Sequence, residues 1–107
     1  MYEYHLTVGL FDKDTKKQEI LTAEAVEKIS TILIDCYSLY AFTMIESRGV
    51  YRMADTGEIV REPSIRLEIA DENDLDSTMH RIIDTLKFVL NQESIMYKHM
   101  KSEIEFI

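Results

Sequence analysis

Three histidines and one cysteine are the residues of this chain best suited to acid–base, nucleophilic or metal chemistry: His5, His80, His99 and Cys36. Only His80 has a helical partner, Asp84 four residues on, and a metal site needs a third and a fourth ligand. Cys36 falls on the apolar stripe of a predicted helix, where a free cysteine behaves as a small hydrophobe. We therefore expect no catalytic centre built on these residues, no metal, no cofactor and a buried Cys36.

A run of carboxylates offers a second kind of chemistry. It comprises five acids within nine residues: Glu68, Asp71, Glu72, Asp74 and Asp76. In one interpretation these acids face the positive end of a helix dipole. In the other, they form an acidic patch that imitates phosphate spacing, as in small phage inhibitors of nucleic-acid enzymes, including anti-CRISPR proteins. The net charge of −8, from 20 acids and 12 bases, is compatible with both and argues against direct nucleic-acid binding.

Length and composition indicate one domain over residues 1–107. A chain of 107 residues with 46% hydrophobic residues is long enough for one modest core. The single cysteine allows no intrachain disulfide, so packing alone must hold the fold. No signal peptide precedes the first strand, and the apolar runs are far shorter than a membrane span. We expect a cytoplasmic protein with no membrane segment.

The periodicity of apolar residues predicts six elements that would position these side chains. Strands are expected over Tyr2–Phe11, Tyr40–Tyr51, Glu58–Ala70 and Ser94–Ile107; helices over Thr22 to Ser38 and from Asp71 to Leu90. The turn chemistry of residues 54–57 makes the two middle strands a hairpin. The order βαββαβ predicts an α+β, ferredoxin-like fold, in which two helices cover one face of a four-stranded antiparallel sheet.

The second strand is apolar on both of its predicted faces. Tyr40, Phe42 and Met44 share one parity, whereas Ala41, Thr43 and Ile45 share the other. A strand that is apolar on both faces is covered on both faces, and a second copy of the chain is the simplest cover for the helix-free side. We therefore expect a homo-oligomer formed through the open sheet face or the strand edges. The alternative is that Tyr40 and Phe42 pack beneath a loop.

Three stretches resemble the motifs of a bacterial family of unknown function. They are Arg48-Gly49-Val50-Tyr51-Arg52, then Gly57-Glu58-Ile59-Val60-Arg61-Glu62-Pro63-Ser64, and Leu90-Asn91-Gln92-Glu93-Ser94-Ile95. Tyr51 stands where the family usually has Trp, and Leu90-Asn91 replaces Phe-Gly. The resemblance implies a ferredoxin-like fold similar to the trimeric PII and copper-tolerance proteins, and carries no activity. It implies six polar site residues: Arg61, Glu62, Ser64, Gln92, Glu93 and Ser94.

In the predicted topology, four of these residues meet near one end of the sheet: Arg61, Glu62, Gln92 and Glu93. Arg61 could then pair with Glu62 or Glu93, either as a polar network that fixes the fold or as the lining of a ligand or subunit cleft. The leading hypothesis is a non-enzymatic binding or regulatory protein whose partner is a protein or a small ligand. The first alternative is an acidic inhibitor that occupies the basic groove of a nuclease or CRISPR-type complex. The second is a small enzyme using the Arg/Glu cluster.

Overall fold

A computed structural model describes all residues from Met1 to Ile107. The strands are β1 (Tyr2–Gly9), β2 (Thr43–Arg52), β3 (Ile59–Asp71) and β4 (Met96–Lys101). The helices are α1 (Thr22–Thr31), which continues into a π-helical turn over Ile32–Cys36, and α2 (Asp76–Val89). The strands form one antiparallel sheet in the order β2-β3-β1-β4. The predicted α+β, ferredoxin-like arrangement is confirmed.

The core lies between one face of the sheet and both helices. Alternation along β1 and β3 places Tyr4 opposite Ile69, Leu6 opposite Leu67 and Val8 opposite Ile65, and all six are buried. These strand residues belong to one cluster with buried residues of both helices: Ala25, Ile29 and Leu33 from α1 and its π-turn, and Met79, Ile82 and Leu86 from α2. The opposite sheet face carries no helix, so its side chains are available to other partners.

The end of the first helix departs from the α-helical spacing that the sequence suggests. Residues 32–36 form a π-helical turn, which contains more residues per turn than an α-helix. Leu33 still points into the core, but Cys36 is exposed. The prediction of a buried Cys36 is therefore wrong, because the wider turn rotates the side chains that follow Leu33. Tyr37 packs against the core instead, and its hydroxyl lies 2.6 Å from the Thr85 hydroxyl.

The second strand begins at Thr43, three residues later than the sequence suggested. Phe42 and Met44 pack against the core, and the Met44 sulfur accepts a hydrogen bond from the Ser30 hydroxyl at 3.3 Å. Met44 is opposite Leu67, which explains why it lies on the helix-covered face. Tyr40 is fully exposed and precedes the strand. Of the three residues expected at an interface, Tyr40 alone is free for a partner.

The β2–β3 hairpin extends beyond the rest of the sheet. β1 pairs with β3 only from Ser64 to Asp71, whereas β2 stays paired with β3 as far as Arg52 and Ile59. We call residues 48–63 the hairpin arm. The molecule is correspondingly elongated, with principal extents of 45 × 27 × 25 Å. None of its helices combines the length and the apolar character that crossing a membrane requires.

Candidate functional site: a polar groove at the base of the hairpin arm

A groove of about 970 Å³ lies where the hairpin arm meets the end of β1, the loop after β1 and the connection between α2 and β4. Its lining includes all six site residues that the family resemblance implied: Arg61, Glu62, Ser64, Gln92, Glu93 and Ser94. Residues 61–64 come from β3, and residues 92–94 join α2 to β4. The fold therefore brings together two segments that are about thirty residues apart in the sequence.

The Glu62 carboxylate is fixed against the backbone at the end of β1. Its Oε2 accepts the Phe11 N–H at 2.8 Å, and the rest of the group lies over Gly9. A Cβ at Gly9 would lie 2.6 Å from the Glu62 carboxylate carbon, so the absence of a side chain makes room for the acid. Glu62 therefore presents a held negative charge in the wall of the groove.

Tyr51 adds an aromatic ring on the same side of the hairpin arm. Gly49 is opposite Glu62 and Tyr51 is opposite Val60, so alternation places Tyr51 and Glu62 on one face. Partial burial, and then the charge of Glu62, raise the pKa of the Tyr51 phenol above its ordinary value. The groove therefore combines a carboxylate with a neutral aromatic side chain, and both attract cations.

Two of the six site residues serve the fold directly. Gln92 is buried, and its Nε2 donates to the Phe11 carbonyl at 2.8 Å and to the Leu90 carbonyl at 3.3 Å. The Ser64 hydroxyl lies 2.8 Å from that of Ser47 on the neighbouring strand. These contacts satisfy polar groups that would otherwise be buried without a partner.

Apart from Glu62, the remaining members of the set leave their polar groups free. Arg61 forms no ion pair with Glu62 or Glu93, because neighbouring residues on a strand point to opposite faces and nothing holds Glu93 beside it. Glu93 and Ser94 are exposed. The expected Arg61–Glu93 lock is not formed, so these side chains remain available to a ligand in the groove.

The acids of the run differ in the contacts that they make. Glu68 lies within β3 and pairs with Arg66 at 3.0 Å. Asp71 accepts the Asn73 N–H at 2.8 Å, and Asp74 accepts the Asp76 N–H at 3.0 Å, as is usual in turns that precede a helix. The Asp76 carboxylate accepts the Tyr97 hydroxyl at 2.6 Å, and Glu72 is exposed. Most of this run therefore stabilises local structure before α2.

The histidines lie outside the groove. His5 pairs with Glu3 at 2.5 Å, and His80 lies 3.6 Å from Asp76. Tyr97 stacks against Tyr4 and His99, and its hydroxyl donates to Asp76 at 2.6 Å. Burial and Asp76 raise the pKa of Tyr97. No group of three or more His, Cys, Asp or Glu side chains is placed to hold a metal ion.

Several residues of this groove were not among the site residues expected from the sequence. Gly9 and Phe11 shape the position of Glu62, and Tyr51, Lys13 and Lys16 also line the groove. One available signal was Gly9 itself, since a glycine inside a strand often marks a close approach of another group. The charged loop after β1 gave no comparable signal, because charged loops are ordinarily solvated.

Comparisons with known proteins find similarity in three-dimensional structure only. No protein-family model and no curated protein matches the sequence. A phage SAM lyase in complex with S-methyl-5'-thioadenosine superposes with a TM-score of 0.71 and 21% identity, covering 94% of this chain and 80% of that chain. A phage SAM lyase in the apo state gives 0.66 and 22%, covering 92% and 78%.

A DUF3240 family protein from Shewanella baltica OS155 gives a TM-score of 0.54 at 9% identity, covering 99% of this chain and 94% of that chain. The Shewanella protein belongs to a domain family of unknown function, which is the kind of family that the sequence motifs of this chain resemble. At these identities the three structures share the fold of this chain.

Proposed function

We propose that this chain binds S-adenosylmethionine (SAM) in the groove and cleaves it to S-methyl-5'-thioadenosine. The observation that carries the proposal is the Glu62 carboxylate, held by the Phe11 N–H and facing the groove beside Tyr51. The similarity to a phage SAM lyase bound to S-methyl-5'-thioadenosine supplies the ligand class. The proposal keeps the expectation of a small-ligand cleft and replaces the leading, non-enzymatic hypothesis with an enzymatic one.

The chemistry of the ligand matches the charges of the groove. SAM carries a sulfonium and an α-ammonium, and a cation is attracted to a carboxylate and to an aromatic face. The net charge of −8 also favours the approach of cations over that of anions. Glu62 and Tyr51 therefore act as binding groups for the cationic part of the substrate.

The cleavage needs no second substrate. The bond between the sulfonium sulfur and the γ-carbon breaks, and its electron pair stays on sulfur, which becomes the neutral thioether of S-methyl-5'-thioadenosine. An oxygen of the substrate's own carboxylate forms the new bond to the γ-carbon and closes a five-membered lactone. The contribution of the groove is to hold the two reacting ends close together, which lowers the entropic part of the barrier.

The test is the appearance of S-methyl-5'-thioadenosine, measured by mass spectrometry, when purified protein is incubated with SAM. Glu62→Gln keeps an acceptor for the Phe11 N–H but removes the charge, and we expect the rate at low substrate to fall by about 10- to 100-fold, the worth of one charge-assisted contact. Glu27→Gln changes the same functional group at an exposed site on α1 and serves as the matched control. Equal rates in the two variants, or no product from the unmodified chain, would contradict the proposal.

We also propose that the chain self-associates through the hairpin arm. Val50, Tyr51, Met53 and Ile59 are large apolar side chains exposed on the arm, and they lie on both of its faces. A two-stranded ribbon is only marginally stable in water, so an arm of this kind gains stability from packing against another surface. A second copy of the chain is the partner that this proposal names.

Light scattering after gel filtration tests self-association. We expect a discrete oligomer for the unmodified chain, and a monomer for the double variant Val50→Lys, Ile59→Lys, because both lysines would be buried in the interface. Phe88→Lys changes an exposed apolar residue on α2 and should leave the mass unchanged. A monomeric unmodified chain would refute this part of the proposal.

A further inference from the structure

The loop after β1 brings two lysines and one aspartate to one side of the groove. It runs from Phe11 to Gln18, which pair as an isolated bridge, and it is closed by the Asp12 N–H donating to the Lys17 carbonyl at 2.8 Å. Lys13 and Lys16 both line the groove. Lys16 has a φ of +61°, a left-handed conformation that is uncommon for a residue other than glycine.

The carboxylates of this loop form no ion pair with its lysines. The side-chain amide of Asn91 donates to both Asp12 and Asp14 at 2.9 Å, and Asp12 also accepts the N–H groups of Asp14 and Thr15. Neither Lys13 nor Lys16 belongs to an ion pair. The loop therefore holds its acids in place by hydrogen bonds, and the ammonium groups of Lys13 and Lys16 form no ion pair beside the groove.

The Glu62 carboxylate and Lys13 lie close enough for one ligand to contact both. Glu62 binds the N–H of Phe11, and the Cα atom of Lys13 is at most about 7 Å from the Cα atom of Phe11, because Lys13 follows Phe11 by two residues. The third cation of the lining, Arg61, lies on the opposite face of β3 from Glu62. The loop lysines, rather than Arg61, are thus placed to meet the anionic end of a ligand whose cation is at Glu62.

We infer that Lys13 and Lys16 bind the carboxylate of the ligand's amino-acid end, which makes them the residues that select SAM over analogues lacking that carboxylate. The inference rests on the proposed function for the identity of the ligand. Bound in this way, the carboxylate lies on the loop side of the groove, from which its oxygen must still reach the γ-carbon of the same ligand.

Calorimetric titration with three analogues tests the inference. S-adenosylhomocysteine has the carboxylate, decarboxylated S-adenosylmethionine lacks only that group, and S-methyl-5'-thioadenosine lacks the whole amino-acid portion. In the double variant Lys13→Met, Lys16→Met we expect the dissociation constant of S-adenosylhomocysteine to rise by about tenfold or more, since at least one charge-assisted contact is lost. The dissociation constants of the other two ligands should not change. Lys17→Met, on the same loop but outside the lining, is the matched control.

The possible failures are distinguishable. If none of the three ligands binds the unmodified chain, the proposed function fails. If S-adenosylhomocysteine binds and the lysine variant weakens all three ligands equally, or weakens none, the inference fails while the proposed function stands. If only Arg61→Met weakened the binding of S-adenosylhomocysteine, the carboxylate would lie at β3, and this result would also overturn the inference.

Discussion

Glu62 and Gln92 bind opposite polar groups of a single residue, Phe11. Glu62 accepts the Phe11 N–H at 2.8 Å, and Gln92 donates to the Phe11 carbonyl at 2.8 Å. β3 and the α2–β4 connection are thereby joined through the backbone at the start of the loop after β1. The position of the Glu62 carboxylate consequently depends on contacts that lie outside its own strand.

Replacing Gly9 by alanine should displace the Glu62 carboxylate without unfolding the protein. The added Cβ would overlap the end of a flexible side chain, which can move away. The lost Phe11 hydrogen bond costs about 1 kcal/mol, and the smaller entropy of the unfolded alanine chain offsets about 0.4–1 kcal/mol of that. We expect the free energy of unfolding to change by less than about 1 kcal/mol, and S-methyl-5'-thioadenosine formation to fall at least about tenfold.

A double-mutant cycle with Glu62→Gln provides the control for the Gly9 substitution. If Gly9→Ala acts by moving Glu62, the two changes together should cost hardly more activity than either one alone. Additive losses would mean that Gly9 affects the groove by another route.

Replacing Gln92 by methionine should destabilise the fold. Methionine has a similar length but no donor, so the carbonyls of Phe11 and Leu90 lose the amide of a buried side chain. We expect the free energy of unfolding to fall by about 1–3 kcal/mol, measured by urea denaturation. Ser94→Ala, an exposed change in the same connection, should stay within about 0.5 kcal/mol. If the Gln92 variant were as stable as the Ser94 variant, the hydrogen bonds of Gln92 to Phe11 and Leu90 would contribute nothing to the free energy of unfolding.

Acid should destabilise the protein in part through Glu3. Hydrogen bonds from Ser102 at 2.8 Å and from His5 lower the pKa of Glu3 below its ordinary value of 4.5. Since the folded-state pKa is the lower one, the stabilisation is present above pH 4.5 and is lost as the pH falls through the folded-state value. We expect Glu3→Gln to reduce the loss of unfolding free energy between about pH 6 and pH 3. An unchanged pH profile would contradict this assignment.

Alkali should destabilise the protein in part through Tyr97. Burial and the hydrogen bond to Asp76 raise the pKa of Tyr97 above 10.0, so the folded state holds its proton more tightly than the unfolded state does. The associated stability is complete below pH 10 and is lost as the pH rises beyond it. Tyr97→Phe should lower the free energy of unfolding by about 1 kcal/mol near neutral pH, and should make that free energy depend less on pH above pH 10. Tyr40→Phe, at a fully exposed site, should alter neither quantity.

The sequence predicted the sheet and both helices because alternation and helical spacing report burial directly. Leu6, Leu67 and Ile82 all lie in the core where their periodicity placed them. Asn91, shortly after the end of α2, has a φ of +48°, the left-handed conformation that asparagine often adopts beyond a helix end. Six groove residues could be named only because motifs in separate segments resembled those of one family.

The position of Glu62 and the absence of ion pairs at the loop lysines could not be predicted from patterns in a single sequence. Glu62 and Arg61 are adjacent in sequence, but strand alternation separates their side chains, and only the register of β3 against β1 shows that Glu62 approaches Gly9. The free lysines of the loop depend on Asn91, which is 79 residues from Asp12 in the sequence. Contacts over such separations follow from the assembled tertiary structure rather than from local spacing.

The π-helical turn after α1 has a consequence for chain length. Its wide backbone accommodates one residue more than an α-helical turn does, so deleting a single residue from 32–36 would allow the helix to continue regularly. Because the wide turn absorbs the extra residue, the residues after it would keep their direction, and the Tyr37 hydroxyl would stay beside Thr85 on α2. The turn therefore gives this segment room for a one-residue change in length close to the contact between Tyr37 and α2.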